Sequence, residues 1–138
     1  MPRTPRMFRD RHHLIAFSRQ PSVADFMKRF LEDAGYSAIA CWSTLEDLER
    51  VVSDTQPAAI VYEVAFPLAT EWERCCEARR RPTLVHIPLV IATPAPPDLY
   101  RHVGMPDALD VFTRPSKHEV EVALRSAVEL RPRIPDAA

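Results

Sequence analysis

The sequence is poor in glycine, with 2 glycines against 14 prolines in 138 residues. Loops that bind phosphate groups through backbone N–H groups need closely spaced glycines, because side chains would block the approach of the ligand. Here Gly35 and Gly104 stand far apart. The sequence therefore excludes the glycine-rich phosphate loops of many enzymes, and its turns depend on proline, aspartate and serine.

Cysteine, long apolar runs and net charge are also scarce. The three cysteines, Cys41, Cys75 and Cys76, fit neither a disulfide framework nor the spacing of a zinc site. No stretch approaches the roughly 20 apolar residues of a membrane span, and the N-terminus lacks the apolar core of a signal peptide. The net charge of −1 gives no general attraction to nucleic acid or anionic lipid. We therefore expect a cytoplasmic protein that binds no nucleic acid, membrane, metal or other cofactor.

Short apolar runs alternate with amphipathic segments along the chain. Hydrophobic residues make up 46% and charged residues 27%, which is typical of a globular domain. Apolar runs predict five strands, at residues 14–17, 37–42, 58–64, 89–92 and 108–113. Helical periodicity and capping patterns predict five helices, at about residues 22–34, 45–55, 70–80, 99–103 and 117–129. This alternation predicts a parallel sheet with right-handed crossovers and helices on both faces.

The termini differ in composition from this central part. Residues 1–12 carry four arginines and one acid without apolar periodicity, which predicts a flexible basic arm. Residues 13–130 form one predicted domain, and residues 131–138 form a short tail. We expect no separate output domain after this tail. The sequence shows no helix-turn-helix pattern, so we expect no direct binding to DNA.

A single acid, Glu63, interrupts the apolar run 58–64. An apolar run of this length predicts a central strand that is buried on both faces. Burying a carboxylate without a partner costs several kcal/mol, so we expect Glu63 at the C-terminal end of the strand. At that edge, open α/β sheets place their sites. The alternative is that Glu63 faces solvent there and only caps the strand.

In their order and spacing, four segments make the chain resemble the receiver domain of bacterial two-component response regulators, the CheY-like domains. They are residues 30–36, 56–67, 87–93 and 110–115, and the resemblance runs from about His13 to Glu129. It implies a flavodoxin-like (βα)5 three-layer sandwich with a parallel five-stranded sheet of order 2-1-3-4-5. It also implies a signalling domain rather than an enzyme.

The chain departs from the receiver pattern where that pattern binds Mg²⁺ and accepts phosphate. Ser18 and Arg19 stand at the positions of the acidic pair that holds Mg²⁺, an ion that prefers carboxylate and phosphate oxygens. Glu63 stands at the position of the phospho-acceptor aspartate, and its carboxylate projects about 1.5 Å further than that of aspartate. Both changes disfavour phosphorylation, since a displacement of about 1 Å can cost 100-fold in rate.

Three further positions of the resemblance lie after the fourth and fifth strands. Thr93 keeps the family's hydroxyl, Arg114 replaces its lysine, and Val111 replaces its aromatic switch residue. We expect Glu63 to pair permanently with Arg114, Arg19 or both, and Thr93 to donate a hydrogen bond to it, because buried charges need partners. The site is then that of a degenerate receiver, a pseudo-receiver.

The predicted function is a phosphorylation-independent signalling domain that acts through protein–protein interaction. The resemblance implies that a protein partner, or a second copy in a homodimer, binds the face of the fourth helix, fifth strand and fifth helix. Charged residues of both signs stand on that face, namely Asp107, Asp110, Lys117, Glu119 and Arg125.

Two alternatives stay open. The first is an active phospho-receiver with an unconventional site, which would need metal-dependent phosphorylation. The second is a flavodoxin-like binder of a nucleotide or flavin, which would need a phosphate-binding loop after the first strand. Residues 18–22 offer hydroxyls and a cation there but no glycine.

Overall fold

The structure, a computed structural model, describes residues 13–106, 108–109 and 117–130. For residues 117 and 127–130 it describes the backbone only. Strands and helices alternate in the order β1 (Leu14–Ser18), α1 (Pro21–Asp33), β2 (Ala38–Trp42), α2 (Leu45–Thr55), β3 (Ala59–Glu63), α3 (Leu68–Arg80), β4 (Leu89–Ala92), α4 (Pro97–His102) and α5 (Lys117–Leu130). The predicted alternation is thus observed from β1 to α4, and the last helix is present.

The four strands form one parallel sheet of order β2-β1-β3-β4. This is the predicted order as far as the described strands reach. Leu109 forms a parallel bridge with Ala92, and its N–H donates to the Ile91 carbonyl at 2.8 Å, so the chain returns to the outer side of β4. The remainder of the predicted fifth strand, residues 110–113, lies outside the described residues.

Alternate residues of each strand enter two separate hydrophobic cores. In β1, Ile15 and Phe17 join the core that α2, α3 and α4 cover, whereas Leu14 and Ala16 join the core under α1 and α5. Every residue of β1 and β3 is buried. This double burial explains why their sequences are continuous apolar runs rather than alternating patterns.

The helix ends follow local sequence signals, with one correction. Gly35 ends α1 in a left-handed conformation (φ +100°), and the Tyr36 N–H donates to the Leu31 carbonyl at 3.0 Å. The spacing of Ser43 and Glu46 is that of a capping box with Ser43 as the cap, but the cap lies one residue later. Thr44 caps α2 by accepting the Asp47 N–H at 3.1 Å, because Ser43 takes a left-handed conformation that turns the chain out of β2.

α3 begins two residues earlier than expected, and the buried side that its apolar residues Trp72, Cys75 and Cys76 predict is only partly observed. Leu68, Cys75 and Ala78 are buried together with Glu71, whereas Trp72 and Cys76 are only half-buried. α4 begins at Pro97, which fits the first turn of a helix because proline lacks the N–H that would lie unpaired there. Among the described residues, no helix is both long and apolar enough to cross a membrane.

Candidate site at the carboxyl edge of the sheet

The C-terminal ends of β1, β3 and β4 bring three polar side chains together. The register pairs Phe17 with Tyr62 and Glu63 with Ala92, so Ser18, Glu63 and the residue after β4, Thr93, end their strands side by side. All three are buried, and Glu63 is only 7% exposed. The expectation that Glu63 ends the central strand is therefore confirmed, and its side chain does not face open solvent.

Glu63 is bound by the hydroxyl of Ser18. Ser18 Oγ donates to Glu63 Oε1 at 2.7 Å and accepts the Gln20 N–H at 3.0 Å. Burial raises the pKa of the Glu63 carboxyl, the Ser18 hydrogen bond opposes this rise, and the nearby carboxylate of Glu71 adds to it. Among the described residues, the partner of Glu63 is thus a small neutral donor and not the cation of Arg19.

Arg19 binds Glu71 of α3 instead of Glu63. Its Nη1 lies 2.9 Å from Glu71 Oε2, and the Arg74 Nε lies 3.6 Å from the same oxygen. Of the expected partners of Glu63, which were Arg114, Arg19 or both, Arg19 is therefore bound elsewhere, and the pair with Arg114 stays a prediction. Successive residues of an extended chain point to opposite sides, so Arg19 points toward α3 when Ser18 points to Glu63.

Thr93 also has partners other than Glu63. Its Oγ1 donates to the Val64 carbonyl at 2.7 Å and accepts the Ala95 N–H at 3.3 Å. The expected hydrogen bond from Thr93 to Glu63 is therefore wrong. The backbone explains this. The Val64 N–H donates to the Ala92 carbonyl, and this pairing brings Thr93 beside the carbonyl of Val64.

Two predicted site residues, Val111 and Arg114, lie outside the described residues, and their roles stay predictions. Sequence reasoning missed Glu71, which is 6% exposed. A signal was present, since Glu71 lies three residues after Leu68 and four before Cys75, on the same side of a helix. That spacing indicates burial for an acid that composition alone would assign to solvent.

The described residues of the crevice do not fit a magnesium ion. Such an ion requires free carboxylate oxygens, but Glu63 accepts from Ser18 and Glu71 is bound by Arg19 and Arg74. No group of three or more potential metal ligands occurs within the part of the chain that the structure describes. What the arrangement offers is a network of fixed hydrogen bonds and charges.

No family model matches the sequence, and no curated protein matches it either. Solved structures do match. The chemotaxis protein CheY4 of Vibrio cholerae is 17% identical, with a TM-score of 0.57 over 84% of this chain and 98% of that one. A sensor protein from Polaromonas is 12% identical, with a TM-score of 0.63 over 89% and 100% of the two chains.

A signal receiver domain of a two-component histidine kinase from Clostridium thermocellum is similar as well. It is 19% identical, with a TM-score of 0.56 over 85% of this chain and 97% of that one. Matches at identities this low show similarity of fold only. The chain has the fold of CheY-like response-regulator receiver domains, with four strands of the parallel sheet in the order 2-1-3-4.

Proposed function

We propose that this protein is an atypical receiver-like signalling domain that acts through protein–protein contact without being phosphorylated. The observation that supports this most is the hydrogen bond of 2.7 Å between Ser18 and Glu63. It joins the residue at the phospho-acceptor position to a residue at a metal-binding position of the receiver pattern. The Ser18 hydroxyl and the Glu63 carboxyl therefore bind each other.

The charge distribution supports the same function. Transfer of a phosphoryl group to a carboxylate needs a cation that neutralises the phosphoryl oxygens, usually a metal ion. At this crevice the described cation Arg19 is held by Glu71. The attacking carboxylate would also be that of a longer side chain, whose burial raises its pKa and so favours the protonated, non-nucleophilic form.

The partner face that we propose contains α4, the segment after it, and α5. Leu99 of α4 and Val122 of α5 are among the exposed large hydrophobic side chains of the described residues, at 41% and 47%. Near Val122, Glu121 and Arg125 form an ion pair at 2.8 Å on the exposed side of α5. Apolar residues with charges of both signs suit a self-complementary contact in a homodimer or a contact with a signalling protein.

Because all three cysteines are free thiols, we place this function in the cytoplasm.

The test is a titration with Mg²⁺ and beryllofluoride, which mimics an acyl phosphate where an aspartate and a metal hold it. We expect the amide NMR signals of Ser18, Glu63 and Thr93 to remain unchanged in the native chain. The positive control is the triple variant Ser18→Asp, Arg19→Asp, Glu63→Asp, which restores the carboxylates of the receiver pattern and should show saturable shifts. Saturable shifts in the native chain would contradict the proposal.

A further inference from the structure

The outer strand of the sheet, β2, has a neighbouring strand on one side only within the part of the chain that the structure describes. All of its residues pair with β1 in unbroken register. The Leu14 N–H donates to the Ser37 carbonyl, so Ser37 and every second residue after it turn their backbone groups toward β1. The N–H and carbonyl groups of Ala38, Ala40 and Trp42 therefore point away from β1, to the outer side of the sheet.

The sequence of this edge lacks the features that keep other chains away. An edge strand can pair with any extended chain, and proteins prevent this with charged side chains, proline or β-bulges. Residues 35–45 contain no Asp, Glu, Lys, Arg or Pro, and the register of β2 with β1 leaves no bulge. At the end of the strand, Trp42 is 47% exposed, and tryptophan is enriched at protein interfaces. The edge therefore suits a partner strand.

The geometry of the edge fits a second copy of the same strand. In an antiparallel pair, residues with outward-pointing groups must face each other, and a two-fold axis at Ala40 achieves this. Ala40 then exchanges two hydrogen bonds with Ala40 of the second copy, and Ala38 does so with Trp42 of the second copy. The large indole faces a small side chain in both halves, and no like charges meet because the strand carries no charge.

The helices beside β2 leave room for this pairing. Met27 and Leu31 of α1 pack in one core with residues of β1 and β2, so α1 covers these two strands. Neighbouring strands lie about 4.8 Å apart, which would separate the two copies of α1 by about 9.6 Å across the axis. Packed helices lie about 8–10 Å apart, so the two helices would be at an ordinary packing distance.

We propose that the outer edge of β2 binds a second copy of this chain, in antiparallel pairing about Ala40, so that the two sheets become one. Both copies use the same edge, and the contact therefore closes as a dimer instead of growing into a filament. β2 lies at the opposite end of the sheet from Leu109, in the segment after α4 that belongs to the proposed partner face. The inference goes beyond the proposed function, because it concerns a different surface and leaves that face free for a signalling protein.

The test measures deuterium exchange of the β2 amides by NMR, in the full chain at low and high protein concentration. The amides of Ala38, Ala40 and Trp42 should exchange more slowly at high concentration, whereas those of Ile39 and Cys41, which face β1, should be protected at both. When about nine chains in ten are paired, the outward amides should slow about tenfold, because only the single chain exchanges them. Sedimentation of the same samples should show one chain at low concentration and two at high concentration.

The variant Ala40→Pro separates the pairing from the fold. Proline removes the outward-pointing N–H at the two-fold axis, and an edge strand tolerates proline where its N–H faces outward. The variant should unfold at the temperature of the native single chain and form no dimer, whereas Ala40→Ser, which keeps the N–H, should retain the dimer. If Ala40→Pro does not fold, Trp42→Lys at an exposed position replaces it and should weaken the pairing by placing a charge on the edge.

Three results would overturn the proposal. The first is a chain that stays single at high concentration. The second is a dimer whose outward amides exchange at an unchanged rate, or that persists in the folded edge variant, since the second copy would then bind elsewhere. The third is protection of these amides that does not depend on concentration, because a segment of the same chain would then cover the edge. The measurements use neither Mg²⁺ nor beryllofluoride, so their failure is distinct from a failure of the beryllofluoride test.

Discussion

Two polar clusters of this domain use the same residue types under opposite conditions. At the crevice, the carboxyl of Glu63 is buried and accepts one hydrogen bond from Ser18. On the surface, Arg81 contacts the carboxylates of Glu46, Glu49 and Glu77, with its Nη1 at 2.8 Å from Glu49 Oε1. The surface cluster joins α2 to the C-terminal end of α3.

The difference appears in the pKa values of the two glutamates. Burial raises the pKa of Glu63, whereas hydrogen bonds from Thr83 and Arg81 lower the pKa of Glu49. Water around the surface cluster removes most of the cost of charge, and the fixed donors then favour the ionised form. Glu63 accepts one hydrogen bond from the described residues and is only 7% exposed to solvent. The surface cluster therefore favours the ionised form of Glu49, whereas burial opposes the ionised form of Glu63.

The largest effect that we expect comes from removing the hydroxyl at the crevice. Ser18→Ala deletes the donor to Glu63 and the acceptor of the Gln20 N–H, which leaves two buried or half-buried groups unpaired. We expect a loss of about 1–3 kcal/mol in the free energy of unfolding, measured by urea denaturation. The matched control is Ser53→Ala on the exposed side of α2, which should change stability little. Equal effects of the two changes would contradict the role of Ser18.

The second prediction concerns the pH dependence of stability, and here the substitution should stabilise the fold. Since the pKa of Glu63 is raised in the folded state, the folded state holds this proton more tightly than the unfolded state. Its contribution to stability is present below the unfolded pKa of about 4.3 and is lost as the pH rises through the folded pKa. Glu63→Gln, which retains the shape and cannot ionise, should therefore raise the melting temperature at neutral pH and remove this part of the pH profile.

Thermal unfolding of the native chain and of Glu63→Gln at a series of pH values checks this prediction. Glu32→Gln provides the comparison, because Glu32 is exposed and pairs only with Lys28 four residues away on α1. A Glu63→Gln variant that is less stable than the native chain at neutral pH would show that the ionised carboxylate stabilises the crevice.

The smallest effect should come from the surface cluster. Arg81→Ala removes ion pairs with three glutamates that are 23% to 70% exposed, and exposed pairs contribute little because water screens them. By urea denaturation we expect a smaller loss in the free energy of unfolding than for Ser18→Ala, and one that shrinks further as salt is added. An effect larger than that of Ser18→Ala, or one that salt does not change, would reverse the comparison between the two clusters.

The apolar runs and their spacing predicted the described strands and the place of Glu63, and the resemblance to receiver domains predicted the order of those strands. It did not predict the partners of the polar groups. Whether Arg19 binds Glu63 or Glu71 depends on which side of an extended loop it points to, and on a helix face that buries Glu71. Such choices are made between segments that are remote in sequence, and two residues expected at the site, Val111 and Arg114, are outside the described part.

The end of β3 is held from both sides by hydroxyl groups. Ser18 of β1 binds the side chain of Glu63, and Thr93 after β4 binds the backbone carbonyl of the next residue, Val64. Each hydroxyl also accepts an N–H from its own loop, at Gln20 and Ala95, so one oxygen atom connects two segments. The consequence is mechanical. The Val64 amide, which donates to the Ala92 carbonyl at 2.7 Å, should exchange with deuterium among the slowest of the domain, since releasing it requires both neighbouring loops to open together.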